Sequence, residues 1–424
     1  MKSLKYTIVI IFIFSTGGCS SFFDTEIKDI NTNIQEQNKL NQNNPFTADF
    51  IEPRLREFSD KAFLENIGLN IISKSTDQYL FNLQKLRSKL HKKCYQKSNL
   101  SINEDWQDLI YSFHKMDSQS FGPITLKTPQ NIDYRNLIYS WPYSNHCMVD
   151  RQIYYKRFDK TNILNLPYNS KSLDTIEYLL YSSVNESKCS LKAHPYLKQW
   201  FELPDQDKKS DRCIMALDLI NTQETYAQEL SNYWNRNQTN YTKVLSDQKN
   251  QYKSIINDYS NALFSIESIK DIRLGGPIGK NKKICDTDRC PELVEHSYSK
   301  MSMIAIQARL EGFIEGFYGG DINDLTHHGF DDYLNQSQFY TISAKMKDYT
   351  TRASQSFVEL NNRDLVTLIE NLDIEKCKTT TVSNRIEPLC AFHEDIRAIT
   401  SLLKTEVLIA LSLKAPPVYQ GDND

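Results

Sequence analysis

Two carboxylates in the segment 172–180 are the residues whose types and spacing could do chemistry. Asp174 and Glu177 are three positions apart, so a helix would place both on one face. Carboxylate oxygens gathered in this way can bind a hard or borderline cation. The structural alternative is that the helix dipole favours Asp174 in a first turn and that Ser172 is an N-cap. The sequence leaves both interpretations open.

The histidines provide weaker candidates. Glu292 and His296 are four positions apart and could share a helix face as two metal ligands, but a metal site needs at least one more ligand and the sequence does not indicate which residue it would be. A structural ion pair or simple exposure also accounts for this spacing. The pair His327 and His328 precedes Gly329 in a polar segment, which predicts a solvated loop.

Several well-known catalytic motifs are absent from the sequence. There is no glycine-rich phosphate loop followed by Lys-Ser/Thr, no G-x-S-x-G nucleophile elbow and no H-E-x-x-H zinc helix. The sequence therefore gives no support for a P-loop nucleotidase, an α/β-hydrolase or a zincin-type protease.

Composition limits the class of protein further. The chain has 424 residues, of which 40% are hydrophobic and 24% charged, so it can bury a sizeable core. Its net charge is −3 and its pI about 6.3, without the basic footprint of nucleic-acid binding. Nucleic acid is therefore not expected as a partner. Only 13 residues are glycine, which favours long helices over turn-rich β architectures.

The N-terminus is predicted to be a secretory signal of residues 1–19. Lys2 and Lys5 precede a short apolar run, Tyr6–Phe14, and small residues lead to Cys19. A cysteine at this point is typical of a bacterial lipobox, which predicts lipidation of Cys19. The alternative is ordinary cleavage beside an unmodified thiol.

Residues 20–50 are rich in Asn, Gln, Asp and Lys and are predicted to be a flexible tether between the lipid anchor and the folded region. Ser20, rather than Asp, follows the cysteine. We therefore expect a lipid-anchored protein of the bacterial cell envelope, held at the outer membrane and facing the periplasm.

The other eight cysteines predict disulfides. An even number of cysteines in an exported chain indicates up to four bridges, although sequence alone does not fix their pairing. A zinc–thiolate site is not expected, because export oxidises thiols and no second close pair flanks Cys285 and Cys290. Local pairing favours Cys285–Cys290, Cys377–Cys390, Cys189–Cys213 and Cys94–Cys147.

Hydrophobic periodicity predicts an all-α fold. Apolar residues recur at spacings of three and four, as on amphipathic helices, for example at Leu80, Leu83, Leu86 and Leu90, at Trp106, Leu109, Ile110 and Phe113, and at Ile176, Leu179 and Leu180. Further helical runs cover 301–317, 335–372 and 388–413, and a loop covers 274–291. Short connections predict two four-helix-bundle-like domains, 51–245 and 246–424.

Several short segments carry a family resemblance in the correct order along the chain. They are Trp106 with Phe121-Gly122-Pro123, the turn Arg135–Pro142, the segment 172–181, the loop Asp271–Gly279 (DIRLGGPIG), Pro291–Glu295 with Ser297 and Ser302, and the acidic tail Gly421–Asp424. Together these segments resemble the imelysin-like proteins (peptidase M75 type), a group of bacterial periplasmic and outer-membrane lipoproteins. The resemblance covers residues 51–424.

The resemblance implies both a fold and a function. Members of this family have two α-helical bundle domains related by duplication, with a functional site where the domains meet. They are associated with iron uptake, and some are called peptidases. Peptidase members carry a G-x-H-x-x-E motif, with which residues 172–177 align.

This chain departs from that motif. Glu177 matches the Glu, but Asp174 stands at the His and Ser172 at the Gly. An Asp side chain titrates near pH 4 rather than 6.5, so it does not replace histidine as an acid or base near neutrality. It remains an oxygen ligand that prefers harder ions. The departure weakens the peptidase interpretation and is compatible with an iron-linked binding role.

The favoured hypothesis is a non-catalytic, metal-, ligand- or partner-binding lipoprotein of iron acquisition. Iron or another divalent metal is the candidate cofactor, and an iron-uptake receptor is a candidate partner. Asp174 and Glu177 would bind the ligand in the inter-domain cleft. The candidate lining residues are Ser172, Trp141, Arg273 and Asp422. The alternatives are a metallopeptidase, which needs a metal with an open position and a general base, and an adaptor lipoprotein that uses its tyrosines as a binding surface.

Overall fold

A computed structural model describes residues 58–96, 99–125, 133–157, 163–234, 241–247, 251–324, 326–361 and 363–416. The predicted signal sequence with Cys19, the predicted tether and the tail that contains Asp422 lie outside the described residues.

All regular structure in these ranges is helical, so the all-α prediction is confirmed. The α-helices are, in chain order, α1 (Asp60–Asn66), α2 (Ser73–Tyr95), α3 (Asn103–Ser118), α4 (Tyr134–Ile138), α5 (His146–Tyr154), α6 (Leu173–Tyr181), α7 (Leu197–Phe201), α8 (Asp205–Trp234), α9 (Tyr241–Asp247), α10 (Tyr252–Leu263), α11 (Ser302–Tyr318), α12 (Phe330–Gln336), α13 (Tyr340–Leu360), α14 (Leu365–Glu370), α15 (Ile374–Thr379), α16 (Pro388–Leu402) and α17 (Leu408–Ala410).

Short π-helical segments interrupt or extend these helices, at Ile67–Ile72, Ile269–Arg273 and Leu403–Val407. The first joins α1 to α2, and the third joins α16 to α17. The second determines which side chains of its segment are buried. Its wide turn leaves Ile272 at the surface, 38% exposed, and buries the charged side chain of Arg273. Such π-helical turns often occur at functional sites.

The helices form where the apolar residues repeat. Leu83, Leu86 and Leu90 on α2 are fully buried, as are Trp106 and Leu109 on α3, so each helix turns one apolar stripe inward. The predicted run 301–317 corresponds to α11. The predicted run 335–372 is not one helix. It divides into the end of α12, α13 and α14. The break between α12 and α13 is at Gln338, which has a left-handed φ of 65° that a continuous helix cannot contain.

The buried apolar side chains form two clusters. One contains residues of α2 to α8, and the other contains α1, α9, α10 and the helices from α12 onward. Helix α11 supplies Ala305 to the first cluster and Leu310, Phe313 and Phe317 to the second. The two-domain division at residue 245 and the duplication stay predictions.

Helix α3 packs along α11, and this pair is the frame of the site described below. Helix α8 packs on α2, and α13 packs on α16. Gly312 allows the close approach of α11 to α3, because a Cβ there would lie 1.9 Å from the Ser118 hydroxyl oxygen.

Four disulfides link the described residues, and two of them differ from the predicted pairing. Cys285 is joined to Cys290 and Cys377 to Cys390, the two short-range pairs that the sequence favoured. The other bridges are Cys94–Cys213 and Cys147–Cys189, rather than Cys94–Cys147 and Cys189–Cys213. Packing of α2 on α8 brings Cys94 to Cys213, a long-range contact that spacing in the sequence does not reveal.

No helix within the described ranges combines the length and the apolar character that are needed to cross a membrane.

Candidate functional site

A cluster of ionisable and polar side chains is buried beside the α3–α11 contact. All of its members are at most 6% exposed, and they come from elements of both apolar clusters. They are His114 and Asp117 on α3, Tyr139 after α4, Glu177 on α6, Arg273 in the π-helical segment, Glu295 and His296 in the loop before α11, and Arg309 on α11. Burial of so many charges requires that each be paired or hydrogen-bonded.

Local structure explains how the loop residues enter the cluster. The segment 294–301 is not helical, and His296 has a left-handed φ of 54°, which is uncommon for a residue other than glycine. The Ser302 hydroxyl, at the start of α11, donates a hydrogen bond to the carbonyl oxygen of Glu295. This contact holds the loop against the helix, so that Glu295 and His296 both lie inside.

A continuous chain of hydrogen bonds crosses the cluster. Arg309 Nη2 lies 2.7 Å from Nδ1 of His114. His114 Nε2 lies 2.7 Å from Nε2 of His296, and His296 Nδ1 lies 2.5 Å from Oε2 of Glu177. A guanidinium can only donate, which makes Nδ1 of His114 the acceptor and places its proton on Nε2. Nε2 of His296 then accepts, and its Nδ1–H donates to Glu177.

Two further groups surround the imidazole pair. The Tyr139 hydroxyl donates to Oε1 of Glu295 at 2.7 Å, and its oxygen lies 3.1 Å from Nε2 of His296. Arg273 Nε lies 2.9 Å from the other Glu295 oxygen. Burial opposes ionisation of Glu295, but Arg273 and Arg309 outweigh it and lower the pKa of this carboxyl. Glu295 is therefore a carboxylate at neutral pH.

Opposing electrostatic effects act on the two histidines. Burial, reinforced by Arg309, lowers the pKa of His114 well below its ordinary value, so this imidazole is neutral. Burial also disfavours the charged form of His296, but the adjacent Glu177 carboxylate outweighs it and raises the pKa of His296. A second proton on His296 would go to Nε2, the atom that accepts from Nε2–H of His114, so its gain would break the hydrogen bond between the two imidazoles.

The cluster reaches the surface through Arg135, which binds the buried Asp117. This carboxylate is bound by Arg309 Nη1 at 2.8 Å and by Arg135 Nε at 2.9 Å. The side chain of Asp117 is 2% exposed, whereas that of Arg135 is 52% exposed. Burial opposes the charge of Asp117, but the two guanidinium groups outweigh it and hold its pKa well below the usual range.

Asp174 and Glu177 lie on one short helix but have separate partners. Glu177 Oε1 accepts hydrogen bonds from the backbone N–H and the hydroxyl of Ser299, at 2.9 and 3.0 Å. Asp174 accepts instead from the backbone N–H of Ser140 at 3.2 Å and from the hydroxyls of Ser140, Ser144 and Ser172. Burial raises the pKa of Asp174, and these donors partly offset the effect. Serine donors therefore occupy the carboxylate oxygens of Asp174 and Glu177 that a cation would need.

The predicted lining residues occupy different positions around the cluster. Ser172 is the N-cap residue of α6, but its hydroxyl bonds to Asp174 rather than to a backbone N–H of the helix. The Arg273 guanidinium lies over the Trp141 ring, 5.4 Å from its centroid, a cation–π contact. Asp422 lies outside the described residues.

Sequence reasoning missed most of this cluster. The spacing of Glu292 and His296 predicts a shared helix face, with His296 as a metal ligand, an ion-pair partner or an exposed residue, but His296 is buried in a loop against Glu177. The available signal was the motif segment 291–295, which ends beside it. His114, Tyr139 and Arg309 gave no signal beyond their position on apolar helix faces or next to the 135–142 turn. The His328 side chain is also buried rather than solvated, whereas that of His327 is 30% exposed.

The donor atoms of His114, Glu295 and His296 lie within 4.8 Å of one another. Two imidazoles and one carboxylate suit a borderline divalent cation such as Fe(II) or Zn(II). Two nitrogens bound to one tetrahedral metal at about 2.0–2.1 Å would be about 3.3 Å apart, compared with 2.7 Å for the hydrogen-bonded pair here. The residues therefore fit a metal by type, and binding would require the imidazoles to separate by about 0.6 Å and to release the proton between them. A second group of possible donors consists of Cys147, Cys189 and His194. Its two cysteines form a disulfide, so their sulfurs are not free thiolate ligands.

The fold and the buried histidine–carboxylate cluster define an all-α protein whose helices enclose a polar site. The family model of imelysin (peptidase M75) matches residues 72–376, so the chain belongs to the imelysin family. Among solved structures, it is similar to an imelysin-like protein from Psychrobacter arcticum 273-4, with a TM-score of 0.58 and 15% identity over 85% of this chain and 98% of that one.

A second similar structure is an iron-regulated protein A precursor from Parabacteroides distasonis ATCC 8503. Its TM-score is 0.58 and its identity 11%, over 83% of this chain and 97% of that one. At these identities the structures support the fold. No curated protein matches the sequence significantly.

Proposed function

We propose that this imelysin-family protein is a non-catalytic component of iron acquisition that binds a metal ion through His114, Glu295 and His296. The observation that carries the proposal is the convergence of two imidazole nitrogens and a carboxylate oxygen within 4.8 Å. Similarity to an iron-regulated protein A precursor favours iron as the metal. The proposal moves the site from Asp174 and Glu177, the pair that the sequence indicated, to donors that lie beside Glu177.

The surroundings of His296 support a role as a ligand. Histidines that bind metals through one nitrogen usually donate the other N–H to a carboxylate, which fixes the ring orientation and raises its basicity. Glu177 supplies such a carboxylate at 2.5 Å, and Ser299 fixes Glu177 in turn. Glu177 therefore acts here as an orienting group for a ligand rather than as a ligand.

Burial favours binding over peptide hydrolysis. A metallopeptidase needs a metal with an open position that substrate and water can reach, together with a general base. His114, Glu295 and His296 are each at most 3% exposed, and the oxygens of Glu177 already accept three hydrogen bonds. Lipidation at Cys19 would hold the binding site at the periplasmic side of the outer membrane, where it could receive or deliver a metal.

Metal titration tests the proposal. The protein is produced by export into an oxidising compartment, and Fe(II), Fe(III) and Zn(II) are titrated by calorimetry into the wild type and into His114→Gln, Glu295→Gln and His296→Gln. Each of these variants should lose most of the affinity for the divalent ions. The matched control is Asp174→Asn, which changes a nearby buried carboxylate outside the donor set and should retain binding.

Two results would overturn this function. One is the absence of binding to a folded wild type. The other is binding that disappears in Asp174→Asn but survives in His296→Gln, which would return the site to the carboxylate pair that the sequence indicated.

A further inference from the structure

The hydrogen-bond chain through His114 leads to a residue-level inference that rests on the metal-binding function proposed above. We infer that Arg309 is a positioning residue that holds His114 in the tautomer unable to bind metal, and that a metal binds only after Arg309 releases this histidine. The inference depends on the direction of three hydrogen bonds and on the position of Asp117.

The direction of the first bond fixes the tautomer of His114. Arg309 Nη2 lies 2.7 Å from Nδ1 of His114, and a guanidinium has donors only. Nδ1 must therefore present its lone pair, and a neutral imidazole then carries its proton on Nε2. Nε2 is the atom that faces His296 at 2.7 Å, the other imidazole of the candidate metal site.

This tautomer excludes a metal from His114. A metal needs the Nε2 lone pair, so a neutral His114 would have to move its proton to Nδ1. An N–H on Nδ1 would then point at the N–H of Arg309 across 2.7 Å, and two donors cannot share that position. Metal binding at Nε2 of His114 and the hydrogen bond from Arg309 to Nδ1 therefore exclude each other.

Asp117 offers Arg309 an alternative that keeps its charge paired. Nη1 of Arg309 already lies 2.8 Å from Oδ2 of Asp117, so the guanidinium can give up His114 and keep its carboxylate partner. Arg135 holds the other oxygen of Asp117 at 2.9 Å, and the two guanidinium groups keep Asp117 ionised. Release of His114 therefore costs one hydrogen bond and does not leave an unpaired buried charge.

The experiment uses the whole protein and two variants of Arg309. Arg309→Met removes the donor, and Arg309→Lys keeps a cation for Asp117 but lacks the fork that reaches both partners. Zn(II) is titrated by calorimetry at one pH after circular dichroism and thermal unfolding confirm that each variant is folded. Loss of one charge-assisted hydrogen bond should tighten zinc binding by about tenfold to a hundredfold.

Arg135→Met is the matched control. It also removes a guanidinium from Asp117, but one that is half exposed and that binds the Asp117 oxygen opposite to the one bound by Arg309. Because solvent screens an exposed charge, this variant should change the zinc affinity by less than about threefold. A gain equal to that of Arg309→Met would mean that only the local charge matters, and it would overturn the inference.

Long-range proton–nitrogen NMR of the metal-free protein gives an independent readout. In the wild type the proton of His114 should be on Nε2, and in Arg309→Met it should redistribute towards Nδ1. Zinc binding by the wild type without any gain in the Arg309 variants, or a wild-type proton on Nδ1, would overturn the inference and leave the metal-binding function standing. Absence of zinc binding from the wild type and all variants would overturn both.

Discussion

Replacement of Glu177 by Gln should disrupt the whole hydrogen-bond chain, because an amide cannot satisfy both of its neighbours. If the amide oxygen stays on Ser299, the amide nitrogen faces Nδ1–H of His296. If the amide is flipped, the nitrogen faces the backbone N–H of Ser299. A change of tautomer in His296 would move its proton to Nε2, against Nε2–H of His114. Every arrangement leaves one buried donor without an acceptor.

The magnitude follows from these contacts. A hydrogen bond to a charged group contributes about 1.5–3 kcal/mol, and an unsatisfied buried donor costs about 1–3 kcal/mol. We therefore expect Glu177→Gln to lower the free energy of unfolding by about 3 kcal/mol at neutral pH. Glu375→Gln is the control, since Glu375 is 84% exposed in its pair with Lys378. It should change stability by less than about 0.5 kcal/mol.

The effect should also depend on pH. Glu177 raises the pKa of His296 above its ordinary value of 6.5, so the folded state binds this proton more tightly than the unfolded state. The resulting stabilisation is fully present below pH 6.5 and is lost as the pH rises through the folded-state pKa. Glu177→Gln should therefore cost more stability at pH 6 than at pH 8.5.

Guanidinium chloride unfolding, followed by far- and near-ultraviolet circular dichroism, measures these differences. The two probes must give coincident transitions, because a chain of this length can unfold through intermediates. A Glu177→Gln variant within about 1 kcal/mol of the wild type at both pH values would refute the hydrogen-bond directions assigned here. A larger loss at pH 8.5 than at pH 6 would refute the electrostatic explanation.

Three further predictions concern the frame around the site. Replacing both Cys94 and Cys213 by Ser opens a loop of 119 residues and should lower the free energy of unfolding by about 5 kcal/mol, because the unfolded chain gains entropy. A loss below about 2 kcal/mol in a denaturant titration would contradict this prediction. Burial, with a smaller contribution from Asp332, raises the pKa of Asp331 to about 7, so this carboxylate is ionised at a cost to the folded state at pH 8. Asp331→Asn should therefore raise the melting temperature at pH 8 and much less at pH 4. An equal gain in melting temperature at both pH values would contradict this prediction. Gly275→Ala places a Cβ 1.8 Å from a backbone oxygen and should lower the free energy of unfolding by about 3 kcal/mol or more. A thermal unfolding midpoint equal to that of the wild type would contradict this prediction.

The sequence by itself determined the secondary structure and the family. The three-and-four spacing of apolar residues is a local property, and a helix that buries one face is its direct physical consequence. The stripes on α2, α3 and α6 could therefore be predicted. The short-range disulfide pairs Cys285–Cys290 and Cys377–Cys390 are local in the same sense. Motif order along the chain was enough to identify the imelysin family.

The candidate site was only partly visible in the sequence. Glu177 could be selected, because two carboxylates on one helical face are a recognisable pattern. Its partnership with His296 could not, since 119 residues separate the two and a left-handed turn directs His296 inward. Asp174, selected by the same pattern, binds the nearby Ser172 hydroxyl and also Ser140 and Ser144, which are at least 30 residues away in the sequence.

Tertiary structure alone decided which groups share the buried space. His114 and Arg309 lie on helices that are distant in sequence, and packing of α3 against α11 brings them to 2.7 Å. The Cys94–Cys213 bridge depends in the same way on packing of α2 against α8. The physical reason is common to these cases. Sequence patterns record what each helix must bury, whereas hydrogen-bond partners, tautomers and pKa shifts depend on which buried faces meet.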